Sequence, residues 1–108
     1  MPDMKFPNFD LPAEKIADFC QRWQITEFAL FGSVLRDDFR PDSDVDVLVT
    51  FAPEVDWGLF DHLRMKQELM GLLNRDVDLF SKEAVEHSPN PLRRQEILNS
   101  AQVVHVEG

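Results

Sequence analysis

"LFGSVLRDDFRPDSDVDVLVTF" (residues 30–51) sets a Gly-Ser pair between two apolar runs and plants Asp44 and Asp46 at the start of the second. Strand side chains alternate between faces, so Val45, Val47 and Val49 share one side while Asp44 and Asp46 share the other. At the standard rise the two carboxylates stand roughly 6.6 Å apart along the chain, close enough to lean onto one hard cation. Left without a cation, two like charges so near each other raise each other's pKa and cost stability. Mg²⁺ suits the pair, because it binds through one or two carboxylates and completes its shell with phosphate oxygens and water.

Gly32 and Ser33 end the first apolar run and open a predicted short helix, "SVLRDDF", with Ser33 as its N-cap. Glycine lets the backbone approach a ligand, and amides at a helix start attract phosphate. A phosphate cradle facing a metal site follows. Arg36 either pairs with Asp37 or Asp38 on the surface or reaches a phosphate. Asp78, in the "DVD" of residues 76–78, is a candidate third carboxylate, as a metal ligand or as general base on an attacking hydroxyl. Rival motifs fail on spacing. "DSDVD" starts like an EF-hand loop, but Val47 and Pro53 occupy its glycine and glutamate positions; no Gly-Lys-Ser/Thr triplet forms a Walker loop; and His62, His87 and His105 are too scattered to argue for zinc.

The flanking sequence alternates helical and strand patterns. "LPAEKIADFCQRWQ" reads as a helix with Pro12 in its first turn and Ile16, Phe19, Cys20 and Trp23 on one face. "EFALFG", "DVDVLVTF", "RDVDLFS" and "QVVHV" read as short strands. "WGLFDHLRMKQELMGLLN" has helical spacing, with Leu59, Leu63, Met70 and Leu73 predicted on its inner face; Trp57, Phe60, Met65 and Met70 are assigned to a core or a subunit interface. "SPNPLRRQEILNSA" is a late helix with Ile97 and Leu98 inward and Arg93 and Arg94 on a solvated face open to an acidic partner. The predicted fold is α/β (α+β): a small mixed sheet with helices packed on it. Strand order and direction stay open at this point.

Composition fits this reading. The 108 residues suit one domain, 1–108, and 44% apolar with 29% charged content is ordinary for a soluble globular chain. No run approaches the ~20 apolar residues of a membrane helix, so no membrane association is expected. A net charge of −9 argues against direct nucleic-acid binding, which needs clustered bases. From Asp37 to Asp61 eight acidic residues face one basic residue, Arg40. A lone cysteine, Cys20, is expected as a buried structural thiol in a reducing cytoplasm.

"FGSVLRDDFRPDSDVDVLV" resembles the signature of the minimal nucleotidyltransferases, small members of the DNA polymerase beta superfamily: Gly-Ser, ten residues, then Asp-x-Asp, here Gly32-Ser33, residues 34–43 and Asp44-Val45-Asp46. The likeness extends over most of the chain, through Arg36, Ser43, Asp78 and the closing "NPLRRQEIL"; Leu35 and Asp37 stand where the family usually has a small residue and glycine. The resemblance implies the polymerase beta palm-like fold, with Asp44, Asp46 and Asp78 as ligands of Mg²⁺, two ions in all. It implies Gly32, Ser33 and Arg36 as contacts to a nucleoside triphosphate, with ATP as nucleotide donor. Short members of that family are commonly antitoxins paired with a HEPN-domain ribonuclease toxin, some transferring AMP onto it. The expected function is therefore metal-dependent transfer of AMP, or another NMP, to a protein hydroxyl, with a HEPN toxin as partner. A homo- or hetero-oligomer is compatible with this. The alternative expectation is a non-catalytic antitoxin that neutralises by contact alone.

Overall fold

β-branched and aromatic side chains bury both faces of the central strands and leave polar groups only at their ends. The computed structural model describes residues 4–6, 9–32 and 44–106. The predicted helix over "SVLRDDF", and with it Ser33 and Arg36, lies outside the described residues.

Two strands not expected from the pattern, β1 (Met4–Phe6) and β2 (Phe9–Leu11), pair as an antiparallel hairpin. Helix α1 (Ala13–Arg22) follows Pro12, whose carbonyl accepts from the Ile16 amide at 3.0 Å. Then come β3 (Ile25–Phe31), β4 (Val45–Phe51), α2 (Leu59–Leu73), β5 (Val77–Ser81), the short α3 (Lys82–Glu86), α4 (Pro91–Ser100) and β6 (Gln102–Val106). The main sheet runs β5-β4-β3-β6. β4 is antiparallel to β3 and parallel to β5, and β6 is antiparallel to β3, so the sheet is mixed. Because β4 and β5 run the same way, a crossover must join them, and α2 is that crossover.

The two sheet faces differ in cover. On one, Phe28, Leu30, Val45, Val47, Val49, Val77 and Leu79 pack against Ile16, Phe19 and Cys20 of α1 and Met65, Leu69 and Leu73 of α2. Cys20 is buried, as expected. The other face holds a smaller cluster, Ala29, Phe31 and Leu48 under Val85 of α3 and Ile97 of α4. Phe31, the register partner of Asp46, belongs to this second cluster, so α3 and α4 lie on the sheet face that carries Asp46.

Helix α2 corrects the predicted face. Leu59 and Leu63 are 71% and 45% exposed; Leu73 is buried as predicted, and Met65 and Leu69 turn inward in place of the first two. Phe60, assigned to a core or subunit interface, is 81% exposed and so lies outside the core. Met65 is buried, while Trp57 and Met70 pack at the core's edge, as assigned. Trp57 donates its indole N–H to the Trp23 carbonyl at 2.9 Å, and Trp23 donates its own to Glu68 at 2.7 Å. These bonds satisfy the polar tips of rings whose bodies are half-buried. Among the described residues no helix is long and apolar enough to cross a membrane.

Candidate functional site

Register brings the acidic residues together. Asp46 pairs with Asp78 across the parallel β4–β5 ladder and with Phe31 across the antiparallel β3–β4 ladder. Paired residues share a face, so the two carboxylates stand side by side on strands about 4.8 Å apart. Asp44 immediately precedes β4, and the adjoining Val45 amide is tied to the Asp76 carbonyl at 2.9 Å, which fixes the two strand starts against each other. Val45, Val47 and Val49 all point into the opposite core, as the alternation predicts.

Gly32 closes the third side. It follows β3 with φ +75°, a conformation that only glycine adopts without strain. A Cβ there would overlap the Asp46 carboxylate, with Cγ at 3.3 Å and Cβ at 3.6 Å. The backbone of Gly32 thus rests directly against Asp46. Both the open backbone angle and the missing side chain are needed for that approach.

The electrostatics follow from this crowding. Burial, then the charge of Asp78, then that of Asp44, raise Asp46 to about 6, while Arg93 pulls in the other direction. A bound cation would reverse the repulsion. Among the described residues no three carboxylate, imidazole or thiolate groups close a metal site unaided. A hard ion held here by Asp44 and Asp46 would therefore need ligand oxygens as well, which is the way Mg²⁺ is usually bound. The donor set fits magnesium.

Sequence reasoning assigned Arg93 to a solvated face open to an acidic partner and not to the site. It is exposed, yet α4 lies over the sheet face that carries Asp46, and this places its positive charge within reach of the site. A signal was present. Arg93 and Arg94 occupy the first turn of α4, which has no acidic residue, although a helix start disfavours cations by about 0.3–1 kcal/mol each. Asn90 caps that turn, its Oδ1 accepting from the Arg93 amide at 3.2 Å. A larger cavity, about 370 Å³, opens at the far ends of β4 and β5 beside Thr50, Trp57, His62 and His87. Charges of both signs line it and it contains none of the three aspartates.

Known proteins share this architecture. The sequence profile of the nucleotidyltransferase domain matches residues 13–104. A Methanocaldococcus jannaschii protein assigned as a protein adenylyltransferase is 31% identical over 94 residues, 87% of this chain and 95% of its own. A minimal nucleotidyltransferase of known structure is 36% identical with a TM-score of 0.64, covering 83% of this chain and 86% of that one. Two toxin–antitoxin complexes, each at 22% identity, share the fold. One, with AMP-PNP, has a TM-score of 0.69 over 90% of this chain and 75% of that one. The other, a tri-AMPylated Shewanella oneidensis HEPN toxin with its MNT antitoxin, has a TM-score of 0.60 over 88% and 70%. With its mixed sheet, its register-matched aspartates and these matches, the chain belongs to the nucleotidyltransferase domain family of enzymes.

Proposed function

We propose that this chain transfers the adenylyl group of ATP to a hydroxyl of a protein partner, a HEPN-domain toxin, and acts as its antitoxin. The observation that carries the reading is the pairing of Asp46 with Asp78 beneath a glycine that leaves no room for a side chain. The M. jannaschii relative's assignment and the AMPylated toxin of the Shewanella complex support the acceptor class. The AMP-PNP complex supports ATP as donor. The chain acts as one domain in a cytoplasmic setting, in keeping with its buried lone cysteine.

In this reading Asp44 and Asp46 hold magnesium, and Asp78 completes the set or takes the acceptor proton. Bound magnesium supplies positive charge to the α-phosphate and to the leaving pyrophosphate. Gly32, with Ser33 and Arg36 of the adjoining segment, holds the β- and γ-phosphates through backbone amides, a hydroxyl and a guanidinium. Asp78 orients the acceptor hydroxyl and receives its proton as the new P–O bond forms. The bond from the α-phosphorus to the bridging oxygen then breaks, and pyrophosphate leaves with the electron pair. The Asp46 carboxylate, unfavourable when alone, is stabilised by the charge it binds.

The test is transfer itself. ATP labelled at the α-phosphate, with Mg²⁺, is expected to label a HEPN-domain protein supplied as partner, and Asp44→Ala is expected to cut labelling by about a thousandfold or more. That figure corresponds to the several kcal/mol that a metal site contributes to charge stabilisation. ATP labelled at the γ-phosphate should leave the partner unlabelled. Full protection of cells by an Asp44→Ala/Asp46→Ala chain would favour neutralisation by contact alone.

A further inference from the structure

Helix α2 packs Met65, Leu69 and Leu73 toward the sheet and turns Phe60, Leu63, Arg64, Gln67 and Gly71 outward. At the helical repeat, Phe60, Gln67 and Gly71 fall along one line of that outer face, with Leu63 and Arg64 flanking it. Two of these residues work against the helix as it stands. Phe60 leaves an aromatic ring uncovered. Gly71 weakens a helix interior relative to alanine, and a Cβ there would meet no atom of the described residues within 4 Å. Gly32 is required by its backbone angle and by its neighbour; nothing within the fold requires Gly71. A ring without cover and a recess without an occupant thus lie on one stripe, about three turns or roughly 16 Å apart.

An antiparallel copy of the same helix matches both. One twofold rotation sets the second copy's Gly71 under Phe60 and the second copy's Phe60 over Gly71, which is the self-complementarity that a twofold interface requires. The missing side chain lets the two helices approach toward the near end of the roughly 8–10 Å usual between packed helices. Charge selects the direction. The start of α2 is acidic, with Glu54, Asp56 and Asp61, while Arg64 stands near its middle and Arg75 follows its end. A parallel pair would stack Asp61 on Asp61 and Arg64 on Arg64. The antiparallel pair instead brings Arg64 beside the second copy's Gln67 and Glu68, and the acidic start toward Arg75. Glu68 is already held in place by Arg22 and by the Trp23 indole.

We propose that the outer face of α2 is a homodimer interface in which Phe60 of each copy seats against Gly71 of the other. A single helix pair is smaller than the ~800 Å² per partner of a standard stable interface, so the dimer forms with rising concentration and is not permanent. α2 covers the sheet face opposite Asp46, and pairing through it leaves both carboxylate sites open.

Sedimentation equilibrium of the full chain, from micromolar to millimolar, should show the mass rising from monomer toward dimer. Phe60→Gln and Gly71→Leu, both at exposed helix positions, should each weaken dimerisation at least about tenfold, as loss of a central contact does. Gly71→Leu should also raise the melting temperature of the dilute monomer, because leucine is the better helix former. A register test uses two chains, one carrying Phe60→Cys and the other Gly71→Cys, mixed with oxidised glutathione. The mixed disulfide should form ahead of either self-linked pair, since that heterodimer keeps one native Phe60–Gly71 contact and Cys20 is buried out of reach. A chain that stays monomeric throughout, dimerisation that either substitution leaves unchanged, or self-linked Phe60→Cys chains in preference to mixed ones would overturn the interface.

Discussion

Asp46→Asn is expected to abolish nucleotidyl transfer and at the same time make the ligand-free chain more stable. Both effects come from one crowded carboxylate. In the folded chain Asp46 titrates at about 6, held up by burial and by Asp78 and Asp44, whereas an unfolded carboxylate titrates near 4. Between those values the folded state binds more protons than the unfolded one, so stability falls as pH rises from about 4 through about 6 and stays lower above it. Asparagine removes the charge and the penalty. At this half-buried position solvent screening reduces the gain to about 1 kcal/mol at neutral pH, or about 5 °C in melting temperature for a chain of this size. Transfer, in contrast, should fall by about a thousandfold or more, since a ligand to the catalytic charge is gone. Melting curves at pH 4.5 and 7.5 check the first half: the variant should gain on wild type mainly at the higher pH. A destabilised Asp46→Asn chain would mean that the carboxylate is satisfied within the fold and needs no cation.

Gly32→Ala is expected to damage both fold and activity. Alanine at φ +75° costs about 1–2 kcal/mol in backbone strain. Its methyl group would also occupy the space that the Asp46 carboxylate fills, with Asp46 Cγ only 3.3 Å away. The carboxylate must then swing aside, and a displacement of about 1 Å in a reacting group can cost a hundredfold in rate. Transfer should therefore drop by about that factor or more, with the urea midpoint lowered. A Gly32→Ala chain that transfers as well as wild type would show that the close approach of this corner to Asp46 has no part in the chemistry.

Much of this site was legible in the sequence, for reasons specific to each residue. Alternation along "DVDVLV" assigned Val45, Val47 and Val49 to the core and left Asp46 facing away, and the β-branched run made the strand itself secure. Gly32 announced a tight corner. Asp78 was legible as a candidate third carboxylate, but its register pairing with Asp46 was not, because it depends on β4 and β5 running parallel in one register, and nothing local encodes that. Helix α2 misled because two apolar stripes share its length: Leu59, Leu63 and Leu73 fit one helical face, and Met65, Leu69 and Leu73 fit another. The sheet chose the second. Arg93 was hidden differently. Its neighbours read as a solvated face, and its bearing on Asp46 arises only once α4 settles over the carboxylate side of the sheet.

The central claim is that Asp44 and Asp46 share a divalent ion with a triphosphate resting against Gly32. Crystals grown with Mn²⁺ and a non-hydrolysable ATP analogue test it directly, because manganese scatters anomalously and stands in for magnesium. The account requires an anomalous peak within bonding distance of both carboxylates, with the β- and γ-phosphates against the Gly32 amide. A peak elsewhere, or a triphosphate bound in the cavity beside His62 and His87, would contradict it.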